Sequence, residues 1–348
     1  MSNVAIGMSG GVDSSVAAAL LVQQGHNVIG VTMKLHNAQL PDNDCCNSRQ
    51  AADALQVAKK IGIPHHVVDF TDEFHRYVVD YFINEYKRGK TPNPCAVCNR
   101  LIKFDALFEK AKTLGADYIA TGHYAKIVRQ GGRFCLQRAA DEKKDQTYFL
   151  YSLSQLQLSK SIMPLGQITK NQTREIANNL GLATAKSKES QEICFIPDND
   201  YAAFIERKAG ISPHGDFIYN GEIVGKHRGV IHYTVGQRKG LGLALGEPVY
   251  VTKIDPKANK IHLGTEKERY GTELFASSLN FMPFEELEKE IKCTAKIRYN
   301  AKDSACTVRP VENGVHVIFE QPQKAITPGQ SIVFYHNDIV LGGGRIDA

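Results

Sequence analysis

The stretch Gly7–Val16, GMSGGVDSSV, follows the apolar run VAIGM at 4–8 and precedes a helical pattern from about Ser14 to Gln24 that Gly25 ends. Its reading decides the fold. Glycine and serine between a strand and a helix put bare backbone N–H groups at a helix N-terminus, where the dipole favours an anion and Ser14 and Ser15 add hydroxyl donors. A bound pyrophosphate fits that chemistry, whereas an isolated Gly-Gly turn more often serves chain geometry alone. The loop has neither the lysine of G-x-x-x-x-G-K-[ST] nor the G-x-G-x-x-G spacing of dinucleotide folds, which excludes both.

On either side of the loop, from 4 to about 124, short apolar strands alternate with amphipathic helices. NVIGVTMKL is followed by a helix near 48–60, then HHVVDF, helices around 72–87 and 101–114, and ADYIATGHY. That rhythm predicts a parallel sheet with crossover helices, which binds ligands at the carboxyl ends of its strands, where the loop after the first strand sits. Residues 146–208 read as connecting helical segments. From about 215, short alternating strands and turn residues predict a small domain and then a barrel. The expected class is α/β plus β: an N-terminal parallel-sheet domain over 1–205, a small central mixed domain over 206–270 and a C-terminal β-barrel over 271–348.

The 348 residues are 43% hydrophobic and 23% charged, with no apolar stretch near the length that spans a bilayer. No export signal precedes the first strand, so the cytosol is the expected compartment. A formal net charge of +5 permits a polyanionic partner without requiring one. The run KHRGVIHYTVGQRKG carries Lys226, Arg228, Arg238 and Lys239 with no acid and interleaves His227, His232 and Tyr233. It reads either as a phosphate-contacting surface or as a solvated basic face.

Eight cysteines in such a chain direct attention to catalytic or metal-binding thiols, not to a disulfide scaffold. TPNPCAVCNR sets Cys95 and Cys98 at the mouth of a helix expected to start near Arg100, where the dipole and the nearby Arg100 and Lys103 favour a thiolate. A pair of buried structural thiols fits poorly with Pro92 and Pro94, and a zinc knuckle would need a second C-x-x-C or a His pair. Cys194 in SKESQEICFIPDNDY reads either as a core residue between Ile193 and Phe195 or as a thiol on a mobile loop that approaches the first pair. Cys45 and Cys46 read as exposed loop thiols or accessory sulfur carriers, and Cys135, Cys293 and Cys306 as strand core.

SGGVDS resembles the signature of the ATP pyrophosphatase, or PP-loop, superfamily, whose members hold the β- and γ-phosphates of ATP and leave the α-phosphate open to attack. Together with VTMKL, NPCAVCN, ATGHYA, KDQTYFL, QEICFI, GKHRGVIHYTVGQRKGLG, IRY and TPGQ, in that order, it makes the chain resemble the tRNA-specific 2-thiouridylases over nearly its full length. The resemblance implies an adenine nucleotide α-hydrolase-like first domain, ATP with Mg²⁺, and sulfur replacing the 2-oxygen of a wobble uridine. It implies ATP contacts from Gly7, Met8, Ser9, Gly10, Gly11, Val12, Asp13, Ser14 and Met33, with Gly122 near the nucleotide. Cys98 would be the nucleophile, and Cys194 would carry a persulfide delivered by a sulfur-relay protein. Asn93, Pro94 and Cys95 would flank a flipped base; His123, Lys144, Asp145, Gln146, Tyr299, Asn300 and Gln330 would touch tRNA. Adenylation turns the C2 oxygen into a leaving group that a sulfur nucleophile expels, and the base must leave its stack to reach the thiols.

The chain departs from that family's pattern at one position: many members have Asp where Cys95 stands, which leaves the acid–base assignment open. Cys95, Cys98 and Cys194 would alternatively hold a [4Fe–4S] cluster with one iron open to sulfide. Two other classes remain on sequence alone. A PP-loop ligase that amidates a small molecule would need no reactive cysteine pair, and an RNA-binding module with a retired nucleotide loop would release no pyrophosphate.

Overall fold

The computed structural model describes residues 1–36, 46–186, 193–196 and 198–347, so Cys45 and the polar run 187–192 ahead of Cys194 lie outside the described residues. The chain opens with β1 (Asn3–Gly7), whose Val4, Ala5 and Ile6 are all fully buried, as suits a parallel strand covered on both faces. The helix α1 (Val12–Gln23) follows, apolar almost all round and packed beneath its neighbours; Gly25, at φ +82°, provides the left-handed stop. Next come β2 (Asn27–Lys34), α2 (Cys46–Ile61) and β3 (His65–Asp69).

Two long helices then interrupt their α-helical register. The first, α3 (Thr71–Phe74), passes through a π-helical turn at His75–Val79 into α4 (Asp80–Lys87). The second, α5 (Pro94–Cys98), passes through a π-helical segment at Asn99–Ala106 into α6 (Leu107–Thr113). After β4 (Tyr118–Ala120) the chain forms a hairpin, β5 (Lys126–Gln130) and β6 (Arg133–Gln137). Then follow α7 (Gln155–Ser159), β7 (Ser161–Ile162), α8 (Lys170–Asn179) and α9 (Tyr201–Ala209). The first sheet has the order β3-β2-β1-β4-β7, with every pairing parallel.

A second sheet, with order β10-β11-β8-β9, is built from β8 (Gly215–Tyr219), β9 (Glu222–His227), β10 (Tyr250–Asp255) and β11 (Lys260–Gly264) around Phe217, Val251 and Ile261. The C-terminal strands are β12 (Tyr270–Phe281), β13 (Ile291–Lys296), β14 (Ser304–Val311), β15 (Gly314–Lys324), β16 (Ser331–His336) and β17 (Ile339–Ile346). They run in the order β12-β15-β14-β13-β16-β17 and close where β17 returns to β12, giving a six-stranded antiparallel barrel. The expected α/β plus β class is what the structure shows. Among the described residues no helix is long and apolar enough to cross a membrane.

The strand β16 shows how the barrel meets the first domain. Its five residues Ser331–Tyr335 are all buried, because alternate side chains serve different cores: Ile332 and Phe334 fill the barrel, while Val333 and Tyr335 join the cluster that includes Tyr148 and Tyr151. The hairpin β5–β6 sits early in the chain but adds to the barrel sheet through Gln137 opposite Ile339. It is held there by Arg138, which donates its backbone N–H to Asp338 O (2.8 Å) and pairs with Asp303 at 2.6 Å. The two-residue strand β7 lies inside the stretch expected to be wholly helical. Both features are made by long-range pairing that local sequence does not encode. Cys135, Cys293 and Cys306 lie in strands as expected: Cys135 and Cys306 are buried, and Cys293 is half-buried against the barrel core.

Candidate active site

The loop after β1 forms a cradle of backbone. Gly10 sits at φ +73°, and a Cβ there would fall 2.6 Å from the carbonyl oxygen of Gln50, so glycine is required twice over. Gly11 is the N-cap of α1, and no side chain caps that end. The first-turn N–H groups are thus left for an anion, which the dipole also favours. The Ser14 and Ser15 hydroxyls are engaged within the loop. Ser15 Oγ donates to Gly11 O at 2.8 Å; Ser14 Oγ lies 3.2 Å from the same oxygen and accepts the Ser9 N–H at 3.2 Å. They shape the loop from within, because both lie on the buried side of the helix.

Asp13 is likewise engaged. Its carboxylate accepts from Lys170 Nζ at 2.7 and 2.8 Å and from Tyr124 Oη at 2.8 Å, fastening the start of α1 to α8 and to the turn after β4. Met8 and Val12 are core residues whose side chains hold the loop between β1 and α1. Met33, half-buried on β2, approaches Gly7, where a Cβ would meet Met33 Cε at 3.9 Å. Gly122 abuts the helix start: a Cβ there would lie 2.7 Å from Ser14 N and 2.9 Å from Asp13 C. Tyr124 belongs to the motif ATGHYA, whereas Lys170 lies in KNQTREIANN, which carries no local signal.

The C-x-x-C lies in a helix that begins earlier than expected. Pro94 occupies the first turn, where its missing N–H costs nothing, and Asn93 caps it by accepting the Ala96 N–H at 3.3 Å. Cys95 is therefore in the first turn and Cys98 one turn in, so the dipole argument applies to Cys95 and not to Cys98. Cys98 is buried; Cys95 and Cys194 are open to solvent on one side. Burial pushes the Cys98 thiol up to about 11 and Cys194 up to about 12, and it also raises Cys95. Lys103 opposes the rise at all three. Cys194 lies within electrostatic reach of Cys98 and Cys95.

What seats Cys194 is its neighbour. Phe195 is 7% exposed and packs edge-on against Phe74 (5.7 Å between ring centroids) and Phe82 (5.3 Å), with Phe204 at 5.5 Å. The core alternative read at this position therefore belongs to Phe195, while the thiol stays accessible. Among the described residues no group of three His, Cys, Asp or Glu side chains is placed to hold a metal ion.

The residues expected to meet the RNA divide into two kinds. His123 is half-buried, 2.8 Å from Thr121 Oγ1 through Nδ1 and 5.8 Å from the Phe104 ring; burial, then Lys103, keeps it neutral well below the usual histidine range. Tyr299 packs on Phe149 at 4.6 Å between centroids, and Asn300 beside it is exposed, as Lys144 in part is. Others are structural anchors. Asp145 is 6% exposed and is consumed by the Ala139 N–H (3.1 Å) and the Thr147 hydroxyl (2.6 Å), so its carboxylate faces inward. Gln146 Oε1 accepts the Tyr124 N–H at 2.9 Å. Gln330 Nε2 donates to Thr91 O (3.0 Å) and Pro92 O (3.1 Å), and Asn93 Nδ2 to Ser331 Oγ (3.1 Å): the barrel grips the loop that carries the C-x-x-C. The basic run also divides. His227 and Tyr233 are buried and His232 lies 3.0 Å from Glu206 Oε1, while Lys226, Arg228, Arg238 and Lys239 are exposed, Lys226 paired with Asp216.

A parallel α/β domain with an uncapped, glycine-bearing helix start is a nucleotide-binding domain of the HUP class. Residues 2–198 match the family model described as a tRNA methyl transferase HUP domain, residues 202–265 its PRC-barrel domain and residues 271–346 an aminomethyltransferase beta-barrel domain. The chain is 52% identical to the tRNA-specific 2-thiouridylase MnmA of Clostridium acetobutylicum, over 99% of both chains. It is 51% identical to MnmA 1 of Clostridium botulinum Okra (99% of this chain, 98% of that one), and 50% identical, with the same coverage, to MnmA of Clostridium perfringens strain 13. The chain belongs to the tRNA-specific 2-thiouridylase family.

Proposed function

We propose that the protein is a tRNA-uridine 2-sulfurtransferase that consumes ATP to activate the C2 oxygen of a wobble uridine and replaces it with sulfur. One observation carries the reading. Gly122 rests against the phosphate-loop helix and His123, the next residue, faces Lys103 and Phe104 on the helix that bears the thiols, so two consecutive residues join an anion cradle to a cysteine cluster. Neither site needs the other in an amidating ligase or an RNA-binding module. The full-length relatives are named for thiolation, which favours sulfur transfer over the methyl transfer in the name of the first domain's model.

The cradle formed by Gly7–Ser14, with Met33 and Gly122, holds the β- and γ-phosphates, and Mg²⁺ travels with them. The uridine C2 oxygen attacks the α-phosphate and pyrophosphate leaves. Cys194 receives a persulfide from a donor protein. The Cys98 thiolate attacks the Cys194 sulfur, forming a Cys98–Cys194 disulfide and releasing HS⁻. That anion adds to C2 and expels AMP, and a cellular thiol then supplies the two electrons that reopen the disulfide. Cys95, with Asn93 and Pro94, lines the place of the base. Lys144, His123, Tyr299 and Asn300, with Arg228, Arg238 and Lys239, hold the RNA from units over 206–270 and 271–348 as well as 1–205.

Pyrophosphate release separates activation from transfer. Cys98→Ser should still release pyrophosphate when tRNA and ATP are supplied, yet place no sulfur in the RNA. Pyrophosphate release that ignores tRNA would point to a small-molecule ligase.

A further inference from the structure

Lys103 is half-buried and forms no ion pair among the described residues, yet it acts electrostatically on Cys95, Cys98, Cys194 and His123 at once. Its position follows from the π-helical segment Asn99–Ala106. Lys103 lies five residues beyond Cys98, which in an α-helix would turn it well away from the thiol face. Where bonds close five residues apart, as Leu107 N–H to Ile102 O does here, the fifth residue returns above the first. The segment's buried residues Asn99, Ile102 and Phe104 hold that register. Among the described residues, Lys103 is the cation that opposes the rise at all three thiols. Small anionic sulfur released among these side chains would drift into solvent if no positive charge held it.

We propose that Lys103 is the positioning cation of the thiol site: the π-helical turn swings its ammonium onto the cysteine face, where it retains anionic sulfur between Cys194 and Cys98. The inference rests on the sulfur-transfer reading but is tested without tRNA or ATP. The groups that face it are Cys95 and Cys98 from α5, Cys194 from 193–196 and His123 from the turn after β4.

The test compares alkylation of each cysteine by iodoacetate, an anion, and by iodoacetamide, its neutral analogue, at one pH and read by peptide mass spectrometry. In Lys103→Met the iodoacetate-to-iodoacetamide rate ratio at Cys98 should fall severalfold, because a neutral side chain no longer attracts the anionic reagent. Lys103→Arg should restore it, and both variants should melt as the parent protein does. An unchanged ratio in Lys103→Met, or an equal fall in Lys103→Arg, overturns the proposal. A protein that keeps the ratio effect but never thiolates tRNA would instead sink the function reading alone.

Discussion

Gly122→Ala probes the junction of the two sites with a single methyl group. Gly122 does not lie in the left-handed region, so alanine suits its backbone, and the whole effect is steric. The new Cβ would lie 2.7 Å from Ser14 N and 2.9 Å from Asp13 C, where ordinary contact begins at 3.4 Å. The first turn of α1 or the turn at 121–123 must yield by about 0.7 Å, and both obstructing atoms are backbone. Overpacking of this kind costs about 1–3 kcal/mol of stability. The larger effect falls on function under the proposed reading, in which the Ser14 N–H belongs to the phosphate cradle: misplacement of reacting groups by up to ~1 Å costs as much as ~10²-fold in rate. The expected outcome is a melting temperature lower by a few degrees and tRNA-dependent pyrophosphate release lower by at least tenfold. Release within twofold of the parent rate, in a protein that still binds tRNA, would refute the claim that Gly122 sets the geometry of the cradle.

Phe195→Ala should remove the aromatic anchor of Cys194 at a cost of about 3–5 kcal/mol. Pyrophosphate release should persist while oxidation by diamide no longer closes a Cys98–Cys194 bridge; a bridge forming at the parent rate would show that Phe195 does not seat the thiol. Gln330→Ala removes two hydrogen bonds from the loop carrying the C-x-x-C, worth about 1–3 kcal/mol together. Amide exchange at 91–96 should accelerate, and equal protection in the variant would contradict the barrel's grip. Because burial holds the neutral Cys98 thiol up to about 11, its iodoacetamide rate should keep rising about tenfold per pH unit through pH 9 and 10, whereas an unperturbed thiol levels off near its ordinary value of ~8.5. A plateau near pH 9 would show that the thiol is not desolvated.

Much of the first domain is written locally. Fully buried parallel strands such as β1 are continuous apolar runs, and glycines at helix ends punctuate them, so the loop and the strand–helix rhythm could be read directly. What could not be read depends on partners far along the chain. The early hairpin β5–β6 gives its edge to the barrel, Lys170 reaches Asp13 across the domain, and Gln330 clamps Thr91 and Pro92. The π-helical segment after Cys98 has no sequence code, since tertiary packing decides whether a bond closes after four residues or five. In KHRG the alternation was visible in retrospect: Lys226 and Arg228 point out while His227 between them turns into the core, as a strand's period of two requires. Composition names the Ser14 and Ser15 hydroxyls but not the buried face of the helix on which they lie.

The account's central claim is tested most directly by nucleoside mass spectrometry of unmodified tRNA incubated with the anaerobically prepared protein, ATP, Mg²⁺ and a persulfide donor. It predicts exchange of one oxygen for sulfur at the wobble uridine, absent in Cys98→Ser; cleavage of ATP with no such exchange, from sulfide or persulfide, would contradict it.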